Sequence, residues 1–329
     1  MKLPSEIIKQ TAYNYGFALC GIAKAEPLSI EKKRFEKALT HNYHAKKEYL
    51  ERDIDKRFHP ELLLKGCQSV IVCGFNYNMQ KSRRAEEQKG EKRELQSYLK
   101  PLFIKGTMSS FQISKYAQIK DYHVFMKEKL EAFANDLQEK YGKFNYKITV
   151  DSSAISEKAW AVQTGIGHYG KNGIIQTQYG SFVFLGCLLI DIEVDGYDAP
   201  NRKSCGDCGK CIRSCPANAI VSPYQVDSNQ CISNINLNKN ETDFTRVAKY
   251  GWLIGCDECQ NVCPNNASAP VNKEAVSLRA SFVENQEEIL ENLTPESFEK
   301  YFKDTAIYKI KYEGIRKRLE ELGGEKIKV

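Results

Sequence analysis

The chain has 329 residues, of which 42% are hydrophobic and 27% are charged, and its net charge is +6. This length allows one domain of about 200 residues and a smaller second one. No segment approaches the ~18 consecutive apolar residues that span a bilayer, and the first residues lack the apolar stretch of a signal peptide. We therefore expect a cytoplasmic protein with no membrane partner. The charge permits an anionic partner such as nucleic acid without requiring one.

The first third of the chain alternates predicted helices and strands. Helical spacing over residues 5–18 leads into a strand at 18–23, a charged helix at 30–52 and a compact apolar strand at 70–75. Residues 79–109 are mostly charged or carry side-chain amides, which indicates an exposed insertion or a solvated helix.

The middle of the chain continues this alternation. A helix is predicted at 121–140, a strand at 146–150 and a helix at 156–164, followed by a glycine-rich turn at 165–173 and an apolar strand at 182–190. Apolar side chains lie on or near one face of the first of these helices: Val124, Leu130, Phe133 and Leu137. This alternation predicts an α/β or α+β fold.

The composition changes near residue 198. From there to about residue 271 the chain is rich in Cys, Asn and Gly and poor in long periodic elements, which is typical of a small domain folded around inorganic clusters. The last segment has a helical pattern. We therefore predict a larger domain at 1–197, a cysteine-rich domain at 198–271 and a C-terminal helical segment at 272–329.

Eight of the twelve cysteines lie in the cysteine-rich domain. The first motif has the C-x₂-C-x₂-C-x₃-C-P spacing of bacterial two-cluster ferredoxins, in which the fourth cysteine binds the other cluster. The second motif, C-x₂-C-x₃-C-P, is one ligand short, and Cys231 between the motifs supplies it. Two [4Fe–4S] clusters are thus predicted, the first held by Cys205, Cys208, Cys211 and Cys263, the second by Cys215, Cys231, Cys256 and Cys259.

Structural zinc is the alternative for any Cys-x₂-Cys pair, but it does not explain two Cys-x₃-Cys-Pro endings. The remaining cysteines have apolar neighbours and are predicted to be core residues: Cys20, Cys67, Cys73 and Cys187. A ferredoxin needs only about a quarter of this chain, so the first domain is expected to bind a redox cofactor, a substrate or both.

Short motifs run in order through nearly the whole chain. Besides the cysteine motifs, they are Gly16-Phe17, Gly21-Ile22-Ala23, His59-Pro60-Glu61-Leu62-Leu63, Ile113-Ser114-Lys115-Tyr116-Ala117, Asp121-Tyr122-His123, Val150-Asp151-Ser152, Glu157-Lys158-Ala159, Gly165-Ile166-Gly167, Gly170-Lys171-Asn172, Gly180-Ser181-Phe182-Val183-Phe184-Leu185-Gly186 and Cys231-Ile232-Ser233. In order and spacing the sequence resembles the epoxyqueuosine reductases, cobalamin-dependent iron–sulfur enzymes that complete queuosine in tRNA.

The resemblance implies a nitroreductase-like α+β domain that binds base-off cobalamin, followed by a ferredoxin-like domain with two [4Fe–4S] clusters. In the family the clusters reduce cobalt, the reduced cobalt acts on the epoxide carbon of the modified base, and an aspartate supplies a proton. That aspartate corresponds to Asp151 here. The resemblance also implies a tRNA anticodon stem-loop as substrate, an external electron donor such as flavodoxin or ferredoxin, and a monomer.

The residues allow two roles for Asp151. An aspartate at a strand end beside a large apolar ring is expected to be desolvated, and the resulting raised pKa suits an acid for epoxide opening. Alternatively, Asp151, Ser152 or Ser153 starts the helix that contains Glu157. The residues alone favour the helix cap, and the resemblance favours the acid.

The resemblance further implies contacts to the corrin ring. The glycine-rich segment 165–173 is expected to lie against it, where glycine permits close approach, although a plain turn explains the segment equally well. His168 is expected to have a polar or packing role rather than to bind cobalt. Expected corrin contacts, each also explained as a surface or packing residue, are Arg57, Tyr116, Lys171, Asn172, Ile175 and Asp257.

Three functions are compatible with the sequence. The first is reduction of epoxyqueuosine in tRNA, the second is a cobalamin iron–sulfur reductase of another substrate, such as a reductive dehalogenase, and the third is a non-catalytic electron carrier. Departures from the family, such as the long insertion 79–109, bear on the substrate and not on the cofactors. A basic run offers either phosphate contacts for RNA or a solvated helix face: Lys309, Lys311, Arg316, Lys317 and Arg318.

Overall fold

The computed structural model describes residues 2–79, 102–103, 110–151, 153–238, 241 and 243–323. The strands are β1 (Leu19–Lys24), β2 (Ser69–Asn76), β3 (Leu102–Phe103), β4 (Ser110–Ile113), β5 (Tyr146–Thr149), β6 (His168–Tyr169), β7 (Ile175–Gln176), β8 (Val183–Ile190), β9 (Ile220–Ser222), β10 (Gln225–Val226) and β11 (Trp252–Ile254). The α-helices are α1 (Ser5–Asn14), α2 (Ser29–Thr40), α3 (Ile54–Phe58), α4 (Tyr122–Tyr141), α5 (Glu157–Gln163), α6 (Lys210–Ser214), α7 (Ile232–Leu237), α8 (Thr245–Ala248), α9 (Glu258–Asn261), α10 (Pro264–Ala267), α11 (Lys273–Ser277), α12 (Gln286–Glu291), α13 (Pro295–Phe302) and α14 (Lys311–Gly323).

An antiparallel sheet in the order β1–β2–β8–β5 forms the centre of the fold. Strand β2 is buried along its whole length because helices cover both faces of the sheet. Its side chains alternate between the two faces, so that Ile71 and Phe75 join one core while Val70 and Val72 join the other. Each such buried side chain contributes about 1.5–3 kcal/mol through removal of apolar surface from water. This mixed arrangement confirms the predicted α+β class.

Helices α1 and α4 pack on one face of the sheet, and α5 packs on the other with Trp160 fully buried. Helix α4 begins after Asp121, whose side chain accepts the backbone N–H of His123 as a cap. Of the apolar residues predicted for its buried face, Leu130, Phe133 and Leu137 are buried. Val124 is 55% exposed, which corrects that prediction. It precedes Leu130 by six residues and therefore points about 120° away from it around the helix axis.

The charged helix predicted at 30–52 is shorter in the structure. Helix α2 ends at Thr40, and only a short 3₁₀ helix follows at Glu48–Leu50. Asn42, Ala45 and Lys46 all have positive φ angles between 54° and 56°. Because left-handed residues cannot continue a right-handed helix, this segment forms a loop instead.

A second sheet joins distant segments. Strand β4 pairs in parallel with β11 and antiparallel with β3, so that predicted domains 1–197 and 198–271 contribute to one sheet. The C-terminal helices α12 to α14 cover it and share a hydrophobic core with it. The division into three domains stays a prediction. The predicted insertion at 79–109 falls largely outside the described residues; within it Met79 is buried and Leu102–Phe103 forms β3.

Two further expectations concern the four cysteines outside the cysteine-rich domain and the lack of a membrane-spanning segment. All four cysteines predicted for the core are buried: Cys20, Cys67, Cys73 and Cys187. Among the described residues, no helix has the length and apolar character needed to cross a membrane.

Candidate active site

A cavity of about 260 Å³ lies where strand β8, helix α5 and the cysteine-rich segment meet. Most of its side chains are apolar or aromatic and a few are ionisable, a composition typical of small-molecule sites. Distant parts of the chain supply the lining residues: Tyr77, Tyr116, Tyr122, Asp151, Glu157, Lys158, Ile174, Ile175, Ser181, Val183, Phe184, Leu185 and Gln260.

One part of the lining is a stack of aromatic rings. Phe184 lies between Tyr77 and Tyr122, with ring centroids 4.2 Å and 4.3 Å away. Burial raises the pKa of Tyr77, Tyr116 and Tyr122, so these phenols stay protonated at neutral pH. A flat apolar surface with hydroxyl donors at its rim fits a flat macrocycle that carries amide side chains, as the corrin does.

Asp151 lies two residues beyond the end of β5 and has a left-handed φ of 54°. Its side chain is 64% exposed. Its Oδ2 accepts a hydrogen bond from Tyr122 Oη at 2.7 Å and lies 3.2 Å from Nε2 of His123. The bonds from His123 and Tyr122 hold the pKa of Asp151 at about 2. The expected rise in pKa is therefore wrong for this structure, because these hydrogen bonds stabilise the carboxylate more than burial disfavours it.

Asp151 does not cap the following helix. Helix α5 begins at Glu157, and its N-cap residue is Ser156, with no side-chain cap bond. The backbone N–H of Asp151 instead donates to Oε1 of Glu157 at 2.8 Å. The cap interpretation is thus wrong for Asp151, and its carboxylate is left to the cavity, Tyr122 and His123.

Two further ionisable side chains in the cavity have shifted pKa values. Burial, together with the nearby charge of Asp151, raises the pKa of Glu157 to about 7. Burial lowers the pKa of Lys158, whose Nζ donates to the carbonyl oxygen of Gly173 at 3.1 Å. Glu157 is thus able to hold or release a proton near neutral pH.

Ligands predicted for the first cluster come together from both cysteine motifs. Burial raises the pKa of Cys211, and the neighbouring thiols of Cys205 and Cys263 raise it further. The pKa of Cys263 is likewise raised by burial and by Cys205 and Cys208. The structure therefore brings together the predicted set of Cys205, Cys208, Cys211 and Cys263.

The second predicted set also assembles. Burial raises the pKa of Cys231, and the thiol of Cys215 raises it further. The pKa of Cys256 is raised by burial, with Cys259 and Cys231 among the neighbouring thiols. The helices α6 and α9, which carry ligands of different sets, pack against each other. This packing brings Cys211 of the first set near Cys259 of the second, and the crossing of ligands between the motifs stays a prediction.

The thiols of each predicted set are neighbours in the structure. In the described part of the chain, no group of three or more Cys, His, Asp or Glu side chains lies close enough to hold one metal ion. A [4Fe–4S] cube holds its thiolates farther apart, because each binds a different iron. Backbone N–H groups also point at the sulfurs, as that of Ala219 does toward Sγ of Cys215 at 3.3 Å.

Gln260 connects the cavity with the second set of thiols. It lines the cavity, follows Cys259 in the chain and accepts a hydrogen bond from Ser181 Oγ at 2.9 Å. Burial raises the pKa of Cys259 to about 12, and a bond with the side chain of Asn172 opposes that rise. A predicted cluster ligand therefore lies directly behind the cavity wall.

The residues predicted to contact a corrin divide into two groups. Those that line the cavity are Tyr116, Asp151 and Ile175. Those outside its lining are Arg57, Lys171, Asn172 and Asp257. Lys171 Nζ donates to the carbonyl oxygen of Gly206 at 2.6 Å. Arg57 is buried, and its Nη2 donates to the carbonyl oxygen of Tyr49 at 2.8 Å. For both groups the cofactor role stays a prediction.

Asp257 fastens the cysteine-rich segment to the segment after β4. It is 2% exposed. Its Oδ1 accepts from Ser114 Oγ at 2.6 Å, and its Oδ2 accepts from the backbone N–H of Lys115 at 2.8 Å. These contacts explain its burial through hydrogen bonding within the protein.

The glycine-rich segment forms the hairpin β6–β7, and its glycines are explained by packing within that hairpin. A Cβ on Gly167 would lie 2.9 Å from the carbonyl oxygen of Gln176, and one on Gly170 would lie 2.9 Å from that of Ile174. These contacts favour the plain-turn explanation. His168 is in the same hairpin, outside the cavity lining.

A separate groove of about 380 Å³ lies beside helix α14 and contains much of the predicted basic run, Lys309, Lys311, Lys317 and Arg318. Arg318 is 4% exposed and donates to the carbonyl oxygen of Asn236 at 2.6 Å, so it stabilises the fold and is not available to phosphate. Arg316 pairs with Glu320 at 3.0 Å. Lys309 Nζ lies 2.9 Å from Nδ1 of His123.

Several cavity residues were not predicted as site residues. They are Tyr77, Tyr122, Glu157, Lys158, Phe184 and Gln260, together with His123 at its edge. The sequence did point to some of them, since Asp121-Tyr122-His123 and Glu157-Lys158-Ala159 are among the short motifs that carry the family resemblance. Tyr122, His123 and Glu157 bond to Asp151 through contacts that only the folded chain creates.

Comparison with known proteins identifies the family. Residues 57–152 match the family model described as epoxyqueuosine reductase QueG, DUF1730. The chain is 34% identical over 325 residues to the epoxyqueuosine reductase of Cyclobacterium marinum, covering 98% of this chain and 97% of that protein. It is 35% identical over 322 residues to that of Cellulophaga algicola, covering 97% of each. The chain belongs to the epoxyqueuosine reductase family.

The likeness to epoxyqueuosine reductases extends to the fold and the cysteines. A crystal structure of an epoxyqueuosine reductase with an epoxyqueuosine-modified tRNA-Tyr stem loop matches with a TM-score of 0.75 and 26% identity, covering 96% of this chain and 79% of that chain. Residues 204–266 match the model described as a 4Fe–4S double cluster binding domain. All eight predicted ligand cysteines lie within this range, as two clusters in an epoxyqueuosine reductase require.

Proposed function

We propose that this protein reduces epoxyqueuosine in tRNA to queuosine, with electrons passing from two [4Fe–4S] clusters to a bound cobalamin. The observation that carries the proposal is the cavity, which has Asp151 in its lining and also Gln260, the chain neighbour of the predicted cluster ligand Cys259. This arrangement supports a role for Asp151 as the acid and for the second cluster as the electron source at one small-molecule site. Membership of the family, and the tRNA stem loop bound to a relative, support tRNA as the substrate.

The residues fit both cofactors. The eight thiols suit two clusters, and the aromatic wall around Phe184 suits a corrin face. When bound, these groups supply the electrons and a low-valent cobalt centre for attack on the epoxide. Asp151 donates a proton to the oxygen that leaves the carbon, while Tyr122 and His123 hold its carboxyl group toward the cavity.

The other two functions are not favoured. A non-catalytic electron carrier has no use for a cavity in which Asp151, Glu157 and Lys158 meet. The relatives matched over nearly the whole chain are epoxyqueuosine reductases, which favours that substrate over a different one. We further propose that the protein acts as a cytoplasmic monomer and takes electrons from a flavodoxin or ferredoxin, as the resemblance implies.

The test is an assay of tRNA in a strain that lacks this gene and any second reductase. We expect epoxyqueuosine to accumulate, and the wild-type gene to restore queuosine. Asp151→Asn should bind cobalamin as the wild type does, seen in the visible spectrum of the added corrinoid, but lose about 100-fold or more in turnover. Asp136→Asn, which removes only a surface ion pair with Lys140, is the control. Unchanged queuosine in the deletion strain would contradict the proposed function.

A further inference from the structure

The proposed reaction needs more protons than one aspartate holds. Removing an epoxide oxygen as water breaks two C–O bonds, consumes two electrons and two protons, and leaves a C=C bond. Asp151 carries one proton at most, so it has to be reprotonated within each turnover. Two side chains are hydrogen-bonded to its carboxylate and are placed to pass a proton to it: Tyr122 Oη lies 2.7 Å and His123 Nε2 lies 3.2 Å from Oδ2.

His123 lies between two carboxylates. Its Nδ1 is 2.6 Å from Oδ1 of Asp121, and its Nε2 is 3.2 Å from Oδ2 of Asp151. Asp121 is fixed as the N-cap of α4, where it also accepts the backbone N–H of His123 at 3.0 Å. Only the imidazolium form donates through both nitrogens, so it is the form that satisfies both carboxylates.

The charged and titratable groups that face His123 are few among the described residues. Besides Asp121 and Asp151, they are Lys309, with Nζ 2.9 Å from Nδ1, and Tyr122, whose ring centroid lies 4.0 Å away. Burial and Lys309 lower the pKa of His123, but its bonds to Asp121 and Asp151 raise it overall. The imidazolium is thus retained above the pH at which a free histidine loses its proton.

The other neighbours of Asp151 are not suited to give a proton to its carboxylate. Glu157 accepts the backbone N–H of Asp151 rather than bonding to its carboxylate. Tyr122 donates to the carboxylate, but its pKa is raised far above neutral, so it does not release its proton. Of the two side chains bonded to the Asp151 carboxylate, His123 is therefore the one able to release a proton.

We propose that Asp121 and His123 form a proton relay that recharges Asp151 in each turnover; the proposal rests on the proposed function. The O–H bond of protonated Asp151 breaks as an O–H bond forms on the substrate alkoxide. The Nε2–H bond of His123 then breaks as an O–H bond forms on Asp151, and the neutral imidazole keeps its Nδ1–H bond to Asp121. A solvent proton restores the imidazolium. The recharged Asp151 gives the second proton to the hydroxyl group, which leaves as water as the second C–O bond breaks and the C=C bond forms, and a second transfer along the same path reprotonates Asp151. Both electrons come from the iron–sulfur clusters of the proposed function.

The first experiment measures the relay without turnover. Full-length protein with both clusters, labelled with ¹⁵N-histidine, is titrated from mildly acidic to mildly alkaline pH by NMR, and His123→Gln identifies the resonance. We expect His123 to titrate above the usual value of about 6.5. Asp151→Asn and Asp121→Asn should each lower its pKa, because each removes one of the two carboxylates that accept from the imidazolium.

The second experiment measures turnover on epoxyqueuosine-containing tRNA. His123→Gln should lower kcat about 100-fold with KM unchanged, and the alkaline fall of the pH–rate profile, which reports loss of the His123 proton, should disappear. His123→Asn is the second variant, and His41→Gln is the control. Normal kcat and an unchanged profile in both His123 variants would overturn the relay.

The two experiments separate the relay from the proposed function. A His123 pKa at or below the usual value of about 6.5, in protein that reduces epoxyqueuosine, would overturn the relay alone. Wild-type protein that carries cobalamin and both clusters but leaves epoxyqueuosine unreduced would overturn the proposed function and the relay with it. A raised pKa together with the loss of the alkaline limb would establish both.

Discussion

At the scale of single residues, chemistry at this site depends on neighbours rather than on residue type. Asp151 ends up as a carboxylate with a pKa of about 2, while Glu157, six positions later, has a pKa raised to about 7. Both are acids near one cavity, but Asp151 accepts bonds from Tyr122 and His123, whereas burial dominates for Glu157. Hydrogen bonding and desolvation thus shift the two pKa values in opposite directions.

Stability should depend on pH through His123. Its folded pKa is raised above the unfolded value of about 6.5, so its contribution is fully present below pH ~6.5 and is lost as the pH rises through the folded pKa. We therefore expect the difference in Tm between wild type and His123→Gln to shrink toward alkaline pH. The measurement is a series of thermal unfolding scans across pH. A difference that is constant across pH would contradict this assignment.

At the scale of elements, close approach of backbone segments places the cavity. Strand β1 passes the C-terminal end of α5 at Gly21, where a Cβ would clash with the carbonyl oxygen of Thr164 and lie 2.6 Å from Cγ2 of Ile166. Helix α5 carries Glu157 and Lys158 into the cavity. The absence of a side chain at Gly21 therefore sets how closely that helix lies against the sheet.

Gly21→Ala should destabilise the protein by about 3 kcal/mol, because the atom it meets is backbone and cannot turn away. Gly196→Ala is the matched control: its nearest neighbour is Oγ of Ser5 at 3.0 Å, the end of a side chain that can rotate. We expect the control to cost less than about 1 kcal/mol. Denaturant unfolding measures both. Equal losses would show that contact with the Thr164 carbonyl is not the cause.

The predicted cluster ligands give a second test at this scale. Cys231 immediately precedes helix α7 and belongs to the second set of thiols. Cys231→Ser should remove about half of the bound iron and of the visible cluster absorbance, because one of two clusters loses a ligand. Cys67→Ala, which alters a buried cysteine outside both sets, should keep the full iron content. Unchanged iron in the Cys231 variant would contradict the assignment.

At the scale of the whole molecule, the cysteine-rich segment is fastened to the rest of the chain by pairing and by buried polar contacts. Strand β11 pairs with β4, and Asp257 bonds to Ser114 and Lys115 next to that strand. This attachment fixes the second set of thiols behind the cavity wall at Gln260. Asp151 and the chain neighbour of a predicted cluster ligand therefore line the same cavity, as the proposed function requires.

Asp257→Asn tests this attachment. An amide at this position presents a donor to the N–H of Lys115, which loses its acceptor, so we expect a loss of about 1–3 kcal/mol in stability. Cobalamin affinity should be unchanged. The exposed Asp243 provides the control variant Asp243→Asn. Weaker cobalamin binding with unchanged stability would instead support the predicted corrin contact.

Much of the fold was predictable from the sequence because its signals are local. The compact apolar run of β2, the helical stripe of α4 and the buried cysteines follow from burial of apolar side chains. The helix predicted at 30–52 was too long because positive φ angles after Thr40 leave little trace in composition. The pKa predicted for Asp151 was wrong because Tyr122 and His123, 29 and 28 positions earlier, were not counted as its partners.

The sequence by itself determined that the chain is an iron–sulfur protein of this family. The spacing of cluster ligands is set by short loops, so it can be recognised without knowing the fold. Only the tertiary structure decided the protonation state of Asp151 and which side chains can pass a proton to it. Asp121, His123 and Asp151 meet between α4 and β5, and Lys309 reaches the same histidine from 186 positions away. Electrostatics acts through space, so the protonation state of the site is a property of the folded chain.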